Sequence, residues 1–290
     1  MIRIPTNDWT YTMLWKMLSE RYGISEAKAV VRYLLEVKYE LSLTDILCGK
    51  TEDVDTRMLS CDMERLCEGI PVQYVVGKTM FAGRPFTVTP DVLIPREETA
   101  ELCRWVTEGR QDDTCRILDV GTGNGCIAIT LSLEIPHAQV EAWDISEGAL
   151  AVARENATDL QAAVTFKRQD ILEEDIPARQ SYDIIVSNPP YICYRENNEV
   201  DEHVLRNEPH QALFVPDDDP LLFYRAIIQL ARKALSEKGV IYFEINPHHL
   251  EALLRLCKEM GFMHPEVKED SFGKQRFLRI QKEKFNNRQK

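Results

Sequence analysis

Apolar residues recur every three or four positions along the first seventy residues of the chain. This is the spacing of helices that bury one face. Three such stripes are visible, and Gly23 and Gly69 fall where two of them stop. We therefore predict a small helical bundle over residues 1–73, with the stripes packed into its core. The stripes consist of Tyr11, Leu14, Trp15 and Leu18; Ala27, Val31, Leu34 and Leu35; and Leu59, Met63 and Leu66.

The pattern changes character over residues 74–94. Two β-prone runs, Val72–Val76 and Phe86–Val88, are separated by residues that favour turns, including Gly77 and Gly83. Strand-like runs joined by such turns are typical of a hairpin. We predict that residues 74–94 form an extended β-hairpin that links two domains.

Strand-like and helix-like segments alternate from about residue 97 to residue 280, and the polar tail Gln281–Lys290 is expected to be frayed. This alternation predicts an α/β fold with a mostly parallel sheet that is covered by helices on both faces. Ligands of such sheets bind at the carboxyl ends of the strands. The expected helices are 97–108, 124–134, 147–157, 221–235 and 248–260, and the expected strands are 116–120, 139–143, 164–168, 182–187, 240–245 and 275–280.

Composition narrows the class of protein. The 35 basic and 47 acidic residues give a net charge of −12, which argues against a nucleic-acid backbone as the main partner. The eight cysteines form no C-x-x-C pair, and we expect them to be reduced thiols. No apolar run approaches the ~18–20 residues that span a bilayer. With no sign of a signal peptide, we expect a soluble cytoplasmic protein that binds neither membrane nor nucleic acid.

A glycine-rich turn follows the first strand of the alternating region. Its sequence, Gly121-Thr122-Gly123-Asn124-Gly125, lets the backbone turn sharply and approach a ligand closely. The spacing is G-x-G-x-G, whereas a pyrophosphate-binding fingerprint has G-x-G-x-x-G. This departure favours a cofactor without pyrophosphate. A glycine turn that binds no ligand is the alternative interpretation.

Acidic residues follow the next two predicted strands. Asp144 lies about 20 residues beyond the glycines, where a carboxylate can accept hydrogen bonds from both ribose hydroxyls. Farther on, Asp170 can receive an adenine amino group while Ile171 packs on the ring. A strand end or helix cap explains Asp170 equally well. We expect Asp119 to orient the glycine loop. Together these residues predict a site for an adenosine-containing cofactor.

Asn188-Pro189-Pro190-Tyr191 follows the apolar run Tyr182–Val186 and suits an unusual task. A planar NH2 group is a poor nucleophile, because its lone pair is delocalised. The side-chain oxygen of Asn188 and the carbonyl of Pro189 can accept hydrogen bonds from the two N–H groups, so that the nitrogen lone pair faces an electrophile. Pro190 restricts Pro189 to extended conformations, and Tyr191 offers a flat face. The alternative is a proline-rich turn that closes a strand.

Over nearly its full length, the chain resembles the bacterial release-factor glutamine methyltransferases. The resemblance implies transfer of a methyl group from S-adenosyl-L-methionine to the glutamine N5 of the Gly-Gly-Gln motif in class 1 peptide chain release factors, which modulates translation termination. It also implies a helical substrate-recognition domain before a Rossmann-like class I methyltransferase domain over 95–290. The segments that carry it are Ile70-Pro71-Val72-Gln73-Tyr74, Leu93-Ile94-Pro95-Arg96, Gly121–Gly125, Asp144, Asn188–Tyr191, Glu208-Pro209 and Ala212-Leu213.

Taken with the residues themselves, the resemblance defines an expected site. Asn188 and Pro189 are the expected catalytic residues, and the whole tetrapeptide binds the substrate amide. The cofactor is expected to contact residues 121–125, Asp144, Asp170, Ile171 and Asn188. The methyl group is carried on a sulfonium, so the transfer needs no metal ion. We expect a monomer whose partners are class 1 release factors.

Two positions depart from the family pattern. Ala100 follows Thr99 where the family usually has glutamate, and Glu101 comes one residue later. One residue along a helix rotates a side chain by about 100°, so no role carries over to Glu101. Asn246 stands where a glycine commonly follows the Glu-Ile pair that ends the strand. We expect neither change to touch the tetrapeptide or the glycine loop.

Other functions compete with this hypothesis. An adenine-N6 methyltransferase acting on DNA or RNA could use the same grip on an exocyclic amine, although the acidic net charge opposes it. A non-catalytic adenosine-binding module does not require the tetrapeptide, and the glycine spacing disfavours a dinucleotide oxidoreductase. The long acidic segment Arg195–Asp219 is either a lid or a solvated surface. The histidines 203, 210, 248 and 249 are interpreted as surface or structural residues.

Overall fold

The computed structural model describes residues 9–108, 114–173 and 181–282 of the chain. Helices predominate before residue 77, and strands alternate with helices after it. The helices are α1 (Tyr11–Lys38), α2 (Leu43–Leu47), α3 (Thr56–Glu68), α4 (Val72–Val76), α5 (Glu97–Thr107), α6 (Cys126–Glu134), α7 (Glu147–Asp159), α8 (Glu202–Asn207), α9 (Leu222–Ala234) and α10 (Leu250–Glu259). The strands are β1 (Lys78–Phe81), β2 (Arg84–Thr87), β3 (Arg116–Val120), β4 (Gln139–Asp144), β5 (Val164–Arg168), β6 (Tyr182–Ser187), β7 (Ile192–Cys193), β8 (Phe214–Val215), β9 (Leu235–Glu244), β10 (Phe262–Glu269) and β11 (Gln275–Lys282).

The chain divides into two compact units. The first comprises Met1–Lys78 together with Asp201–Asn207, and the second comprises Thr79–Val200 and Glu208–Lys290. Helix α8 is part of the first unit although it lies far along the chain, and the side-chain amide of Asn207 donates to the carbonyl of Gly69 at 3.1 Å. Nothing in the sequence indicated this connection. Among the described residues, no helix is long and apolar enough to cross a membrane.

The first unit is built around α1 and α3. The predicted stop at Gly23 is a kink, since this glycine takes φ 74° and ψ 163° before α1 continues. The predicted third helix is α3, which begins after the cap residue Asp55 and ends at Gly69 in the left-handed conformation. The apolar stripes of both helices, including Leu14 and Met63, meet in one buried cluster. The predicted helical core is therefore confirmed.

The segment Val72–Val76 was expected to be extended, and that prediction is wrong because it forms α4. Pro71 precedes the helix, and Gly77 ends it in the left-handed conformation, with its N–H donating to the carbonyl of Gln73 at 2.7 Å. Val75 is buried in the core of the first unit. Burial of this side chain overrides the β preference of valine, which is a weak local bias. The hairpin itself is shorter than predicted and consists of β1 and β2.

A seven-stranded sheet forms the centre of the second unit. Its strand order is β10-β11-β9-β6-β3-β4-β5. The five strands from β9 to β5 are parallel, and β11 pairs antiparallel with both β9 and β10. The predicted α/β fold with a mostly parallel sheet is confirmed. Strands β3, β5 and β6 coincide with their predicted limits.

Alternate residues of the central strands enter two separate cores. Leu118 and Ile185 belong to one cluster, whereas Ile117 and Ile184 belong to the other. Successive side chains of a strand point to opposite faces, so both faces of the sheet are covered. The first core contains residues of α9 and α10, and the second contains residues of α5 and α6.

Strand β10 was not expected from the sequence. It contains Pro265 and several charged residues, and it pairs with one neighbour at the edge of the sheet. The pairing shifts register between Met263 and Glu266, where His264 takes a positive φ of 56°. Edge strands tolerate proline, charge and bulges, because one side of the strand needs no ladder partner. A search for alternating apolar residues therefore misses them.

The close packing of Gly125 generates a stability prediction. Gly125 and Gly261 share φ +84°, but a Cβ on Gly125 would lie 2.9 Å from Cδ1 of Ile129, whereas none of the described atoms approaches within 4 Å of one on Gly261. We expect Gly261→Ala to cost about 1–2 kcal/mol from the left-handed backbone alone. Gly125→Ala should cost a further ~1–3 kcal/mol from overpacking. Urea denaturation measures both, and equal losses would contradict the predicted clash.

Candidate active site

A cavity lies at the carboxyl ends of the parallel strands β3, β4, β5 and β6, within the second unit. Each strand contributes the residues at its end or immediately after it. This is the edge at which ligands of such sheets bind. The lining residues are Asp91, Val92, Leu93, Val120, Gly121, Gly123, Asp144, Ile145, Ser146, Ala149, Gln169, Asp170, Ile171, Leu172, Asn188, Pro190, Pro209, Gln211, Ala212 and Phe223.

The glycine loop is held by hydrogen bonds that leave two of its glycines facing the cavity. The N–H groups of Gly121 and Thr122 both donate to the carbonyl of Trp143, each at 2.9 Å. The N–H of Gly123 donates to Oδ2 of Asp144 at 2.9 Å. Gly121 and Gly123 have positive φ values of 74° and 56°, and a Cβ on either would meet open space. The backbone at these glycines is therefore available for close approach by a ligand.

Thr122 and Asn124 are buried, and they support the loop from within. The Thr122 hydroxyl donates to Oδ2 of Asp119 at 2.6 Å, so Asp119 orients the loop as expected. Oδ1 of Asn124 accepts from the N–H of Cys126 at 3.3 Å. Of the predicted loop residues, Gly121 and Gly123 line the cavity, whereas Thr122, Asn124 and Gly125 are not among its lining residues.

Burial dominates the electrostatics of Asp119. Loss of solvation, with a smaller contribution from the nearby charge of Asp144, raises the pKa of its carboxyl to about 7. Hydrogen bonds from the Thr122 hydroxyl and the Ala128 N–H act in the opposite direction. Desolvation disfavours the charged form of a carboxyl. A negative charge beneath the glycine loop therefore has a cost near neutral pH.

Asp144 lies at the end of β4 and lines the cavity. Burial raises the pKa of its carboxyl, while N–H donors from Ser146, Gly123 and Ile145 counteract that rise. Oδ1 accepts from Ser146 N–H and Oδ2 from Gly123 N–H, each at 2.9 Å. A carboxylate oxygen can accept two hydrogen bonds, so both oxygens retain capacity for hydroxyl donors in the cavity.

The chemical character of the cavity wall is acidic and apolar. Asp91, Asp144 and Asp170 contribute carboxylates, and Asp170 is braced through Oδ1 by the N–H of Leu172 at 2.8 Å. Ile145 and Ile171 provide apolar surface. Neither lysine nor arginine occurs among the lining residues. This composition suits hydroxyl groups, a flat apolar ring and positive charge, and it disfavours phosphate groups.

The tetrapeptide follows β6 and contributes Asn188 and Pro190 to the cavity. Pro189 is buried, and Tyr191 is partly buried. The hydroxyl of Tyr191 donates to Oε1 of Glu244 at 3.1 Å. Burial is the main cause that raises the pKa of Tyr191, and the charge of Glu244 adds to it. The expected roles of Pro189 and Tyr191 in binding an amide stay predictions.

A chain of hydrogen bonds fixes Asn188, and two of its members were not predicted. Nδ2 of Asn188 donates to the hydroxyl oxygen of Thr99 at 3.2 Å, and that hydroxyl donates to Oε2 of Glu244 at 2.7 Å. Glu244 is buried at the end of β9, and burial raises the pKa of its carboxyl. Hydrogen bonds from Thr99 and Tyr191 and the positive charge of Arg276 oppose that rise.

An ion pair holds two loops beside the cavity. Arg96 Nη2 lies 2.6 Å from Oε1 of Glu208, and the N–H of Ile94 donates to Oε2 of the same carboxylate at 3.1 Å. The Glu208 side chain is only 1% exposed, so these donors replace lost water contacts. The pair joins the loop of Leu93 to that of Pro209, and both residues line the cavity.

Some of the lining residues that were not predicted lie in segments with a recognisable sequence signal, and others do not. Leu93, Pro209 and Ala212 belong to segments that carry the family resemblance, and that signal could have placed them at the site. Asp91 and Phe223 stand in no such segment. Only the folded arrangement of the chain brings these two residues to the strand ends.

The two departures from the family pattern differ in their consequences. Glu101 accepts hydrogen bonds from the backbone and hydroxyl of Ser271, and Ala100 is buried in the second core. Asn246 was expected not to touch the tetrapeptide, and that expectation is wrong. Its Nδ2 donates a hydrogen bond to the carbonyl of Tyr191 at 3.2 Å. The strand order explains the error, because β9 lies next to β6 and their ends share one edge.

Comparison with known proteins gives a consistent result. A family model for the methyltransferase small domain matches residues 106–213. A release factor glutamine methyltransferase from Bacteroides thetaiotaomicron is 44% identical over 90% of this chain and 95% of that protein. One from Flavobacterium psychrophilum is 38% identical over 93% of this chain and 96% of that protein. These matches extend through both compact units.

Solved structures support the fold. A methyltransferase from Pyrococcus furiosus superposes with a TM-score of 0.50 at 16% sequence identity. The match covers 68% of this chain and 88% of that structure. At this level of identity the likeness concerns the Rossmann-like α/β architecture and carries no information about the substrate.

The raised pKa of Asp119 predicts a pH dependence of stability. An unfolded aspartate loses its proton near pH 4, but in the folded chain Asp119 holds it up to about pH 7. The folded state then binds more protons between these values, so stability from this group falls as pH rises. We expect Asp119→Asn to gain ~2–4 kcal/mol relative to the unsubstituted chain between pH 4 and pH 8. Urea denaturation at several pH values tests this, and a constant difference would contradict it.

Proposed function

We propose a function from the premise that the chain belongs to the family of release factor glutamine methyltransferases. It transfers a methyl group from S-adenosyl-L-methionine to the side-chain amide nitrogen (N5) of the glutamine in the Gly-Gly-Gln motif of class 1 peptide chain release factors. Such methylation modulates translation termination. The observation that carries the assignment to this site is the position of Asn188, which lines an acidic and apolar cavity at the strand ends.

The cavity residues fit the proposed cofactor. The Asp144 carboxylate has acceptor capacity for the two ribose hydroxyls, and Ile145 and Ile171 can flank the adenine ring. Asp170 can accept from the adenine amino group. S-adenosyl-L-methionine supplies an electrophilic methyl group on a positively charged sulfur. The carboxylates of the wall favour that positive charge.

Catalysis by this chain depends on alignment. Oδ1 of Asn188 and the carbonyl oxygen of Pro189 each accept a hydrogen bond from one N–H group of the substrate amide. The nitrogen lone pair then faces the methyl carbon. Holding reactants in this geometry can supply several kcal/mol of the barrier reduction. The same two oxygens stabilise the positive charge that develops on nitrogen. The amide proton can leave after transfer, so the mechanism requires no strong general base.

Thr99 and Glu244 act as positioning residues in this proposal. The Thr99 hydroxyl donates a hydrogen bond to Glu244, so toward Asn188 it can act only as an acceptor. It therefore selects the Nδ2 side of the Asn188 amide. Oδ1 of Asn188 is then left as the group that receives the substrate N–H. Without this constraint the side-chain amide of Asn188 could rotate by 180°. Its NH2 group, a donor, would then face the N–H donor of the substrate.

The rival assignment is adenine-N6 methylation of DNA or RNA. The tetrapeptide suits an exocyclic amine equally well, but the relatives described above are named for release factors, and the net charge is −12. We infer that class 1 release factors are the partner, without direct contact with nucleic acid or membrane. We assign substrate recognition to the helical residues 1–73 and infer a monomer that acts in the cytoplasm, where translation takes place.

A labelling experiment tests the proposed function. The full chain is incubated with methyl-labelled S-adenosyl-L-methionine and a purified class 1 release factor, or with DNA or RNA. We expect label on the peptide that contains the Gly-Gly-Gln motif and none after replacement of its glutamine by alanine. Label confined to nucleic acid would reverse the assignment in favour of the adenine methyltransferase.

Separate roles for Asn188 and Asp144 generate one prediction. Asn188→Ala should lower kcat by ~10²–10³-fold, as does loss of one preorganised hydrogen-bonding group, while the Kd for S-adenosyl-L-methionine changes little. Asp144→Ala should raise that Kd by ~10–100-fold, because it removes charged hydrogen bonds to the ribose. Steady-state kinetics and calorimetry measure these effects. If Asn188→Ala retained near-normal kcat, the tetrapeptide would have no part in catalysis.

The positioning role of Thr99 generates another. Thr99→Val keeps the side-chain shape but removes the hydroxyl, and we expect kcat to fall ~10-fold with an unchanged Kd for the cofactor. Thr99→Ser keeps the hydroxyl and should retain most of the activity. In an Asn188→Ala background, Thr99→Val should have little further effect, because it acts through Asn188. Full additivity of the two changes, or failure of serine to rescue, would show that Thr99 does not orient Asn188.

A further inference from the structure

Cys193, Glu196 and His249 form an enclosed cluster that takes no part in the proposed methyl transfer. Cys193 is buried, and the side chains of Glu196 and His249 are each 13% exposed. Sγ of Cys193 lies 3.5 Å from Nε2 of His249, and the same nitrogen lies 3.2 Å from Oε1 of Glu196. All three atoms lie within 4.8 Å of one another. None of the three residues lines the cofactor cavity.

The geometry points to a binding site for a zinc ion. Thiolate, imidazole and carboxylate are the three ligand types that zinc takes in proteins. In a tetrahedral zinc site the sulfur and nitrogen ligands lie ~3.5 Å apart, and the nitrogen and oxygen ligands ~3.3 Å apart. The two separations at Nε2 of His249 match these values. The sulfur and the carboxylate oxygen lie within 4.8 Å of each other, and zinc binding requires them to approach to about 3.5 Å.

The cluster is also braced in the manner of a metal site. Oε2 of Glu196 accepts from the N–H of Cys193 at 3.0 Å and from Nδ2 of Asn246 at 3.2 Å. With Oε2 occupied in this way, Oε1 is directed toward His249. Hydrogen bonds that orient a ligating carboxylate are a regular feature of protein metal sites. The fourth position is left to water or to His248, whose Nδ1 lies 3.7 Å from Oε1 of Glu196.

An ion pair between protonated His249 and Glu196 is the simplest arrangement without metal. That arrangement explains the 3.2 Å contact, and the thiol then serves only as the capping-box partner of Glu196 at the start of the short helix Tyr194–Glu199. A ring N–H points along one direction and cannot donate well to both sulfur and oxygen. A zinc ion accounts for both contacts at this nitrogen, because sulfur, nitrogen and oxygen then surround one shared ion.

The position of the cluster suggests a structural role for the zinc. Cys193 and Glu196 follow the tetrapeptide by two and five residues, and His249 follows Glu244 by five. Tyr191 and Glu244 are already joined by a hydrogen bond. A zinc ion would tie together the two chain segments that continue from this contact. Metal binding to ligands that are assembled only in the folded chain stabilises the fold.

Metal binding to the full chain tests this proposal without any reference to methyl transfer. Metal-free protein, prepared with a chelator, is titrated with Co²⁺ and then with Zn²⁺. We expect one equivalent of Co²⁺ to give thiolate-to-cobalt absorption and tetrahedral visible bands, which Zn²⁺ abolishes. Zn²⁺ should also raise the unfolding midpoint by several degrees. Absence of the thiolate-to-cobalt absorption in the unsubstituted chain would overturn the proposal.

Matched variants locate the site. Cys193→Ser and His249→Gln should each weaken Zn²⁺ binding by ~100-fold or more, in line with loss of a direct ligand. Cys48→Ser and His203→Gln alter an exposed cysteine and an exposed histidine elsewhere, and both should bind like the unsubstituted chain. Undiminished binding by Cys193→Ser and His249→Gln would place the metal at other residues and refute this site.

Discussion

Parallel pairing at the centre of the sheet is the constraint on which the site depends. Val120 pairs with Trp143, and Ser187 pairs with Phe243, so neighbouring strands end level with one another. Gly121, Asp144, Asn188 and Glu244 stand at or just beyond these ends and therefore share one edge. A shift of one residue in any strand would also exchange its two buried faces. The two apolar cores thus fix the register that assembles the polar site.

A buried carboxylate then imposes order on this edge. Glu244 loses its contact with water and needs donors in the protein, which Thr99 and Tyr191 supply. Meeting this need has a consequence for chemistry, because it fixes the hydroxyl of Thr99 and through it the amide of Asn188. The hydrogen bonds that offset the burial of the Glu244 carboxylate therefore also orient the Asn188 amide for the reaction. Asp119 stands in a similar relation to the glycine loop, which it anchors through Thr122.

Two electrostatic effects oppose each other around the cavity. Its carboxylates suit a positively charged cofactor, yet burial raises the pKa of Asp144 in the wall and of Asp119 beneath the glycine loop, so negative charge in this region is costly to maintain. Backbone N–H groups offset the cost at Asp144, and Arg96 offsets it at Glu208. The tetrapeptide is held through Tyr191, which packs against the first core and whose carbonyl accepts a hydrogen bond from Asn246. Loop residues at the strand ends are therefore constrained from several directions.

The sequence by itself determined the parts that follow local rules. Alternating apolar segments predicted the sheet, the glycines predicted the loop, and the placement of Asp144 and Asn188 at strand ends predicted the cavity. Tertiary structure decided what depends on distant neighbours. Val72–Val76 is helical because Tyr74 and Val75 are buried in this form, and β10 is a polar edge strand. Thr99 reaches Asn188 across 89 positions. Local patterns encode periodicity and turn chemistry, whereas only strand order determines which side chains meet.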